Sequence, residues 1–332
     1  MELNWQRHYR ITFGIPEYSN EQYLTSGSLL ASTVKSSENP TQSTPSQALM
    51  ISNIPEDGNS LRGFNFSFTS KREMSKTSSS KEMSKLTISN LSPEMYELFN
   101  TEGCLVKIEA GYRDTGVFRV YQGFVNTVTP QRRGNDVDYI ISMREANLDV
   151  KNAKVSVDFP ETDDAEKVLQ ALVKFLPSVG SQEILLEKLK NQFVSGGFSF
   201  EGSLMDSIEN MCRSYGVRYS IYNGKFTARD ENLTQGSADY QRIAPNTFVL
   251  TPDNVKSFDL ISDNRQKLSK EQRVKPDVKV DLFLTNINFD NFFTITEELD
   301  EKAVGTYEIK HIIIKLNSRT NVFDTSLRGS PM

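Results

Sequence analysis

Residues 202–230 read GSLMDSIENMCRSYGVRYSIYNGKFTARD, and this stretch predicts a capped amphipathic helix that runs directly into a tight hairpin. Ser203 occupies the N-cap position, and Asp206 is placed to return a bond to the backbone N–H of the cap. Gly216 lies where helices often end in a left-handed turn. The apolar residues recur at helical spacing and form one face, which consists of Leu204, Ile208, Met211, Cys212 and Tyr215.

The second half of this stretch predicts two antiparallel strands. Val217, Tyr219 and Ile221 alternate with polar residues, which is the period of a half-buried strand. The dipeptide at 223–224, Asn-Gly, favours a type I′ turn because both residues tolerate positive φ angles. No acid, base, nucleophile or metal ligand is concentrated in this stretch, so we interpret it as a structural module.

Composition excludes several classes of protein. The chain has 332 residues, enough for two or three domains, and its net charge of −5 argues against binding nucleic acid over the whole surface. No apolar run approaches the roughly 20 residues of a membrane span. The first ten residues, MELNWQRHYR, lack the apolar core of a secretory signal, so we expect synthesis and folding in a cytoplasm.

Two local charge clusters receive a structural interpretation. The basic cluster is interleaved with Ser and Thr, and we interpret it as a solvated hairpin tip rather than a phosphate-binding track; it contains Arg62, Lys71, Arg72, Lys76, Lys81 and Lys85. The acidic cluster lacks the spacing of a cation site, and we interpret it as an exposed turn; it contains Glu297, Glu298, Asp300 and Glu301.

The chain carries few residues of the types that perform chemistry. His8 and His311 lie in strand patterns without a partner at metal-ligand spacing. Cys104 and Cys212 are interpreted as buried free thiols rather than a redox pair. Neither a G-x-S-x-G elbow, an H-E-x-x-H motif nor a P-loop occurs. The sequence therefore assigns no catalytic, cofactor-binding or metal-ligating residue, and no cofactor.

Two functional alternatives stay open at this stage. Acidic residues are plentiful, so a cell-wall hydrolase could use a pair of carboxylates brought together by neighbouring strands. Alternatively, Trp5, Tyr9 and Tyr18 cluster near the N-terminus and would suit a receptor-binding or carbohydrate-binding protein. Most of the aromatic residues are expected to pack in the core.

Strand patterns dominate both ends of the chain. They occur at 7–13, 48–51, 63–69, 86–89, 104–110, 117–128, 137–144, 247–250, 255–261, 278–285, 292–296, 305–316 and 322–327. Ser92 and Pro93 predict the start of a short helix, and Asp163 with Glu166 resembles a capping box before a second one. Segment 181–202 is mixed. No exact tandem repeat is present.

These patterns divide the chain into three regions. Residues 1–150 predict a first β-barrel or rolled sandwich with a polar arm at 24–47, which suits either a functional arm or a disordered stretch. Residues 151–232 predict a middle α+β region that contains the helix-hairpin module. Residues 233–332 predict a second β-barrel region, which can share parts of the middle region. The predicted fold class is mainly β with α+β insertions.

Four segments, in this order, resemble a known family of proteins. They are LTISNLS at 86–92, VKIEAGY at 106–112 followed by VYQGF at 120–124, the module at 202–230, and GTYEI at 305–309 followed by NVFDTSL at 321–327. In order and spacing they are similar to the hub proteins of phage tail baseplates, which include the late-control D-type proteins and the hubs of contractile injection machines. Together they span most of residues 86–328.

The resemblance implies a structural protein rather than an enzyme. It implies a homotrimer in which each subunit contributes two tail-tube-like β-barrels, so that three chains form a ring of six-fold character. Such a ring joins the hexameric tail tube to a trimeric central spike and contacts other baseplate proteins. The implied location is the virion, in the tail baseplate, after synthesis in the host cytoplasm; neither a membrane nor a specific nucleic-acid sequence is an implied partner.

Overall fold

The computed structural model describes the greater part of the chain. The described residues are 6–15, 48–55, 57, 60–74, 84–145, 154–159, 164–176, 181–185, 189, 192, 198–231, 233, 236–237, 240–241, 244–261, 276–289, 291–320 and 322–332. The arm predicted at 24–47 lies outside them, as do Trp5, Tyr18, Lys76 and Lys81.

The fold is mainly β. The strands are β1 (Arg7–Gly14), β2 (Leu49–Ser52), β3 (Phe66–Glu73), β4 (Ser84–Ser89), β5 (Leu105–Tyr112), β6 (Gly116–Arg133), β7 (Asp136–Arg144), β8 (Lys154–Phe159), β9 (Ser181–Leu185), β10 (Phe198–Ser203), β11 (Val217–Tyr222), β12 (Lys225–Asp230), β13 (Phe248–Leu250), β14 (Val255–Ile261), β15 (Asp277–Phe283), β16 (Phe292–Ile295), β17 (Gly305–Asn317) and β18 (Phe323–Pro331). The α-helices are α1 (Pro93–Asn100), α2 (Ala165–Lys174) and α3 (Leu204–Ser214), and a 3₁₀ turn covers Ala244–Asn246. None of these described helices is long and apolar enough to cross a membrane.

One large sheet of thirteen strands joins the two ends of the chain. Its order is β14-β15-β18-β17-β3-β4-β7-β6-β5-β1-β2, with β16 paired to β17 and β13 paired to β16. The pairing of β17 with β3 is antiparallel and brings Asn317 opposite Ser67. Among the described strands the order is open, because its outermost members β14 and β2 do not pair with each other.

A single hydrophobic core supports this sheet. Alternate residues of the strands point inward, so that Phe13, Ile108 and Ile312 belong to the same buried cluster. Helix α1 adds Met95 and Phe99, and the Phe99 ring stacks on Phe13 with 4.0 Å between ring centroids. The core therefore includes strands from both terminal regions of the sequence.

The two ends of the chain repeat one strand arrangement. The order β3-β4-β7-β6-β5 of the N-terminal half recurs as β14-β15-β18-β17-β16 in the C-terminal half, with every neighbouring pair antiparallel. The repeat ends at the next strand, because β1 is antiparallel to β5 whereas β13 is parallel to β16.

The repeat extends to the register of the strands. Strand β6 skips one residue, Asn126, against β7, and β17 skips one residue, Lys310, against β18. Phe124 and Glu308 each lie two positions before these bulges, where they pair with Leu105 of β5 and Phe292 of β16. Six residues of β4 pair with β7, and six residues of β15 pair with β18. In each set, the first of these pairs contains the residue of β7 or β18 that also faces the position just before the bulge. Around the bulge the two strand sets therefore correspond position by position, although β14 carries a bulge at Lys256 that β3 lacks.

The middle region has a hydrophobic core of its own. Apolar residues of α2 and α3 pack with the β11–β12 hairpin, including Leu169, Ile208 and Phe226. Strand β9 runs parallel to β12, and β8 pairs with β10 in a separate two-stranded sheet. The sequence predicted no strands at these three positions, and two of them fall in the mixed segment 181–202.

The opening stretch folds largely as its sequence predicts. Helix α3 has Ser203 as its N-cap, and Leu204, Ile208, Met211 and Cys212 are buried while Tyr215 is half-buried. The β11–β12 turn has positive φ at both central residues, 50° at Asn223 and 77° at Gly224, which is the type I′ geometry. Gly216 is left-handed with φ 61°.

The predicted capping interactions are only partly present. Ser92 accepts a hydrogen bond from the Met95 N–H, and Pro93 is the first residue of α1, as predicted. By contrast, Ser203 makes no side-chain cap bond, so the capping box with Asp206 does not form. Helix α2 is capped one residue later than predicted, because Asp164 rather than Asp163 is its N-cap.

Candidate functional site

The two cysteines and the two histidines of this chain lie in four different parts of the fold. Both cysteines are buried free thiols, and burial raises the pKa of Cys104 to about 12. His311 has Glu73 on the neighbouring strand, with 3.9 Å between Nδ1 and a carboxylate oxygen, and burial lowers the pKa of its imidazole. Within the described ranges, no three His, Cys, Asp or Glu residues form a group that could hold a metal ion.

The aromatic cluster near the N-terminus does not form an exposed platform at its described member. Tyr9 is buried in β1, and its ring meets Phe66 edge-on with 4.7 Å between ring centroids. Trp5 and Tyr18 lie outside the described residues. Tyr9 therefore contributes to core packing, as expected for most aromatic residues of this chain.

The acidic cluster forms the turn that the sequence predicts. Glu297, Glu298 and Glu301 are exposed, and they follow β16 in a run of turns. Asp300 closes this turn, because its carboxylate accepts hydrogen bonds from the backbone N–H groups of Lys302 and Ala303.

The basic cluster differs from the prediction at Arg72, which is buried rather than solvated. Its side chain is 5% exposed and faces Glu145, whose side chain is 11% exposed, with 2.6 Å between Arg72 Nε and a carboxylate oxygen. Burial raises the pKa of Glu145, while the adjacent Arg72 charge acts to lower it. Arg72 points inward because Phe66, Phe68 and Ser70 precede it on the same face of β3.

This ion pair lies where the middle region meets the large sheet. Arg72 donates to the backbone carbonyl of Val120 at 2.7 Å and to the side-chain oxygen of Asn223 at 3.2 Å. The Asn223 amide donates in turn to the carbonyl of Arg119 at 3.3 Å, and the Arg72 guanidinium lies 5.9 Å from the centre of the Tyr222 ring. The tip of the β11–β12 hairpin is thus attached to β3 and β6 by a buried polar contact.

A cleft of about 470 Å³ opens beside this junction. It is lined by Glu109, Val117, Phe118, Arg119, Tyr222, Asn223, Lys225, Asn286 and Asn288. Among these described residues the only carboxylate is that of Glu109, which already accepts a hydrogen bond from Arg10 at 3.0 Å. A paired-acid hydrolase needs two carboxyl groups that face one bond, and this cleft presents one that is already paired.

The large sheet has an open edge at β14. In the described part of the chain, β15 is the only strand that pairs with β14. Leu260 is 39% exposed and Phe258 is half-buried, although both lie on the same face as the buried Val278 and Val280 opposite them. Strand edges offer unpaired backbone groups, so an apolar edge of this kind is suited to pairing with another strand.

A second open edge lies along the far half of β6. Strand β5 pairs with β6 only as far as Phe124, whereas β7 follows β6 to Arg133. Residues 127–133 therefore have one strand neighbour in the described structure. Most of these side chains are exposed, including those of Arg132 and Arg133. These two open edges are the candidate functional site, and sequence reasoning did not locate either of them.

Comparison with known proteins reveals likeness in structure alone. No protein-family model matches the sequence, and no curated protein is similar to it in sequence. The tail protein from Neisseria meningitidis MC58 has a TM-score of 0.50 at 9% identity, and the 43 kDa tail protein of prophage MuSo2 from Shewanella oneidensis has a TM-score of 0.53 at 10% identity. Each match covers 81% of this chain and 96% of the other. A chain of the Francisella PdpA–VgrG complex matches with a TM-score of 0.54 at 9% identity over 98% of this chain and 58% of that one.

These matches confirm the structural similarity to phage tail proteins that the sequence predicts. At identities of 9–10% the similarity concerns the fold. It extends over both β-rich ends and the middle region, because the matches cover four fifths or more of this chain.

Proposed function

We propose that this chain is a structural hub protein of a phage tail baseplate, which assembles as a homotrimeric ring between the tail tube and the central spike. The observation that carries the proposal is the repeat of β3-β4-β7-β6-β5 as β14-β15-β18-β17-β16. A chain with two equivalent strand sets presents six such sets when three copies assemble. That number fits an adaptor between a six-fold tube and a three-fold spike.

The two strand sets are proposed to form the two tail-tube-like barrels of each subunit. Both sets contribute residues to the shared core, and the β3–β17 pairing joins the two sets within one chain. The regions 1–150 and 233–332 would then supply one barrel each, and 151–232 would form the middle region. Ring closure requires an interface that repeats head to tail, and strand edges can supply it.

The proposed role is structural and not enzymatic. Its partners are two further copies of the chain, the tail tube protein, the spike protein and other baseplate proteins, in the virion, with neither a membrane nor a specific nucleic-acid sequence among them. The single, already paired carboxylate of the described cleft supports this role over that of a cell-wall hydrolase. The purified chain is accordingly expected to leave a peptidoglycan suspension turbid, and clearing that depends on one carboxylate would contradict the proposal.

Native mass spectrometry tests the assembly directly. The purified chain is expected to give a species with the mass of three copies. When its tube or spike protein is added, these three copies are expected either alone or in a complex with that protein. A chain that stays monomeric under all these conditions would overturn the proposed function.

A further inference from the structure

We infer that β14 of one copy pairs antiparallel with residues 127–133 of β6 in a neighbouring copy, with Asp259 opposite Gln131. The inference rests on the proposed trimer and specifies its interface. Its occupant is a second copy of this chain. The argument comes from the repeat, since the chain contains both an occupied and an open example of the same strand junction.

The occupied example is the pairing of β3 with β17. After the bulge at Lys310, β17 pairs with β18 on one side and with β3 on the other, over residues 311–317. Seven residues of β6 follow the equivalent bulge at Asn126 and pair with β7 on one side. Their other side has no strand among the described residues, and it is the position that β3 occupies in the repeat.

The strand equivalent to β3 is β14, and no described strand pairs with its outer side. Both strands pair with the second strand of their set, and Phe68 of β3 corresponds to Phe258 of β14 because they face the equivalent residues Leu86 and Val280. One difference is a bulge at Lys256 in β14. Among the described residues, no strand pairs with the outer side of β14 or with the free side of residues 127–133 of β6, and a neighbouring copy supplies both partners.

The register follows from position-by-position equivalence. Thr69 of β3 faces Lys315 of β17, the fifth residue after its bulge. Thr69 corresponds to Asp259, because each pairs with a lysine at the same position of the next strand, Lys85 or Lys279. The fifth residue after the bulge of β6 is Gln131. Asp259 of one copy is thereby placed opposite Gln131 of the next.

The side chains on both faces fit this register. On the core-facing side, the 39% exposed Leu260 meets the Pro130 ring, as Ser70 meets Ile314 within the chain. On the other side, the Asp259 carboxylate, which is 66% exposed, lies diagonal to Arg133, within about 7–8 Å and inside the reach of a long side chain. The pairing covers apolar surface and brings opposite charges together.

Pro130 also limits what else can bind to this edge. Proline has no backbone N–H, so a strand added here gains one hydrogen bond fewer than a full ladder provides. Proline and arginine at an edge are features that discourage indiscriminate strand pairing. The edge thus favours a partner whose side chains are complementary, such as the Leu260 and Asp259 of another copy.

Disulfide trapping tests the register in the full chain. The variant Gln131→Cys/Asp259→Cys places one cysteine on each edge, at two exposed positions, while Cys104 and Cys212 are buried. Mild oxidation with diamide is expected to link copies covalently into dimers and trimers on a non-reducing gel. The reference is Thr69→Cys/Lys315→Cys, the equivalent pair within one chain, which is expected to close an intrachain bond.

The matched control moves the second cysteine from β14 to the adjacent strand β15. In Gln131→Cys/Lys279→Cys the second cysteine lies on the same face of β15, about 10 Å from β6 of the neighbour, which is beyond the Cα separation of roughly 7 Å that a disulfide spans. It is expected to give no intermolecular product. If trimers form in native mass spectrometry but 131 and 259 do not cross-link, the inference is wrong and the proposed function stands. If no trimer forms, both are wrong.

A second variant pair separates interface loss from misfolding. Leu260→Arg introduces a charge at the proposed contact, and Leu61→Arg introduces the same charge at a residue of similar exposure, 36%, that lies away from both edges. Both variants are expected to retain the circular dichroism spectrum of the parent chain. Only Leu260→Arg is expected to lose the trimer, and equal trimer populations in the two variants would contradict the inference.

Discussion

Replacing Arg72 by methionine is expected to destabilise the protein strongly, because it leaves the Glu145 carboxylate buried without its cation. The two side chains are 5% and 11% exposed. Removing one partner of a buried ion pair costs about 3–5 kcal/mol, against a total stability of about 5–15 kcal/mol for a typical domain. At an unfolding entropy of about 2.1 cal/mol/K per residue, a chain of 332 residues loses about 1.4 °C per kcal/mol, so the thermal midpoint is expected to fall by about 4–7 °C.

The destabilisation is also expected to depend on pH. Burial already raises the pKa of Glu145, and removal of the Arg72 charge raises it further. A carboxyl group whose pKa is higher in the folded than in the unfolded state binds more protons when folded, so stability is lost as pH rises through the folded pKa. Arg72→Met is therefore expected to cost less at pH 5 than at pH 8.

Urea unfolding followed by circular dichroism at these two pH values measures both effects. The double variant Arg72→Met/Glu145→Gln is the control, and it is expected to recover most of the lost stability because no buried charge is left alone. A loss below about 1 kcal/mol that is the same at pH 5 and pH 8 would show that Arg72 is solvated, as its sequence context predicts, and would refute the buried pair.

Three further predictions concern individual elements of the fold. Ser92→Ala is expected to cost about 1 kcal/mol through the lost helix cap, whereas Ser203→Ala, whose side chain makes no cap bond, should cost clearly less in the same urea titration. Gly224→Ala is expected to cost about 1–2 kcal/mol because φ is 77° there, and a neutral result would contradict the type I′ turn. Cys104 and Cys212 are expected to resist Ellman's reagent at pH 8 until the chain is denatured, and rapid labelling of the native protein would show that either thiol is accessible.

The sequence predicts local structure well where alternation is clear. The pattern at 255–261 coincides with β14, and the pattern at 137–144 differs from β7 by one residue. Period-two alternation specifies a strand and its buried face, and a dipeptide such as that at 223–224 specifies how two strands connect. Strands β8 and β10 were missed although KVSVDF and FSFEGS alternate apolar with polar residues, and only SQEIL of β9 lacks a clear period.

Long-range pairing could not be read in the same way. Nothing local in Ser67 or Asn317 specifies that they face each other, and the repeat escapes notice because equivalent positions differ in residue type, as Pro130 and Ile314 do. Arg72 was assigned to a solvated tip from its charged neighbours, although its alternation with Phe66 and Phe68 was a signal that it points inward. The open edges depend on which strands are neighbours, so they became visible only in the structure.

The symmetry of the assembled oligomer tests the central claim most directly. Single-particle electron cryo-microscopy of the chain bound to its tube and spike proteins is expected to show a closed ring of three copies with six similar β lobes around the axis. In that ring, β14 of each copy is expected to lie beside β6 of the next. A two-fold dimer, a ring of six copies, or three copies that meet elsewhere than at these strand edges would contradict the account.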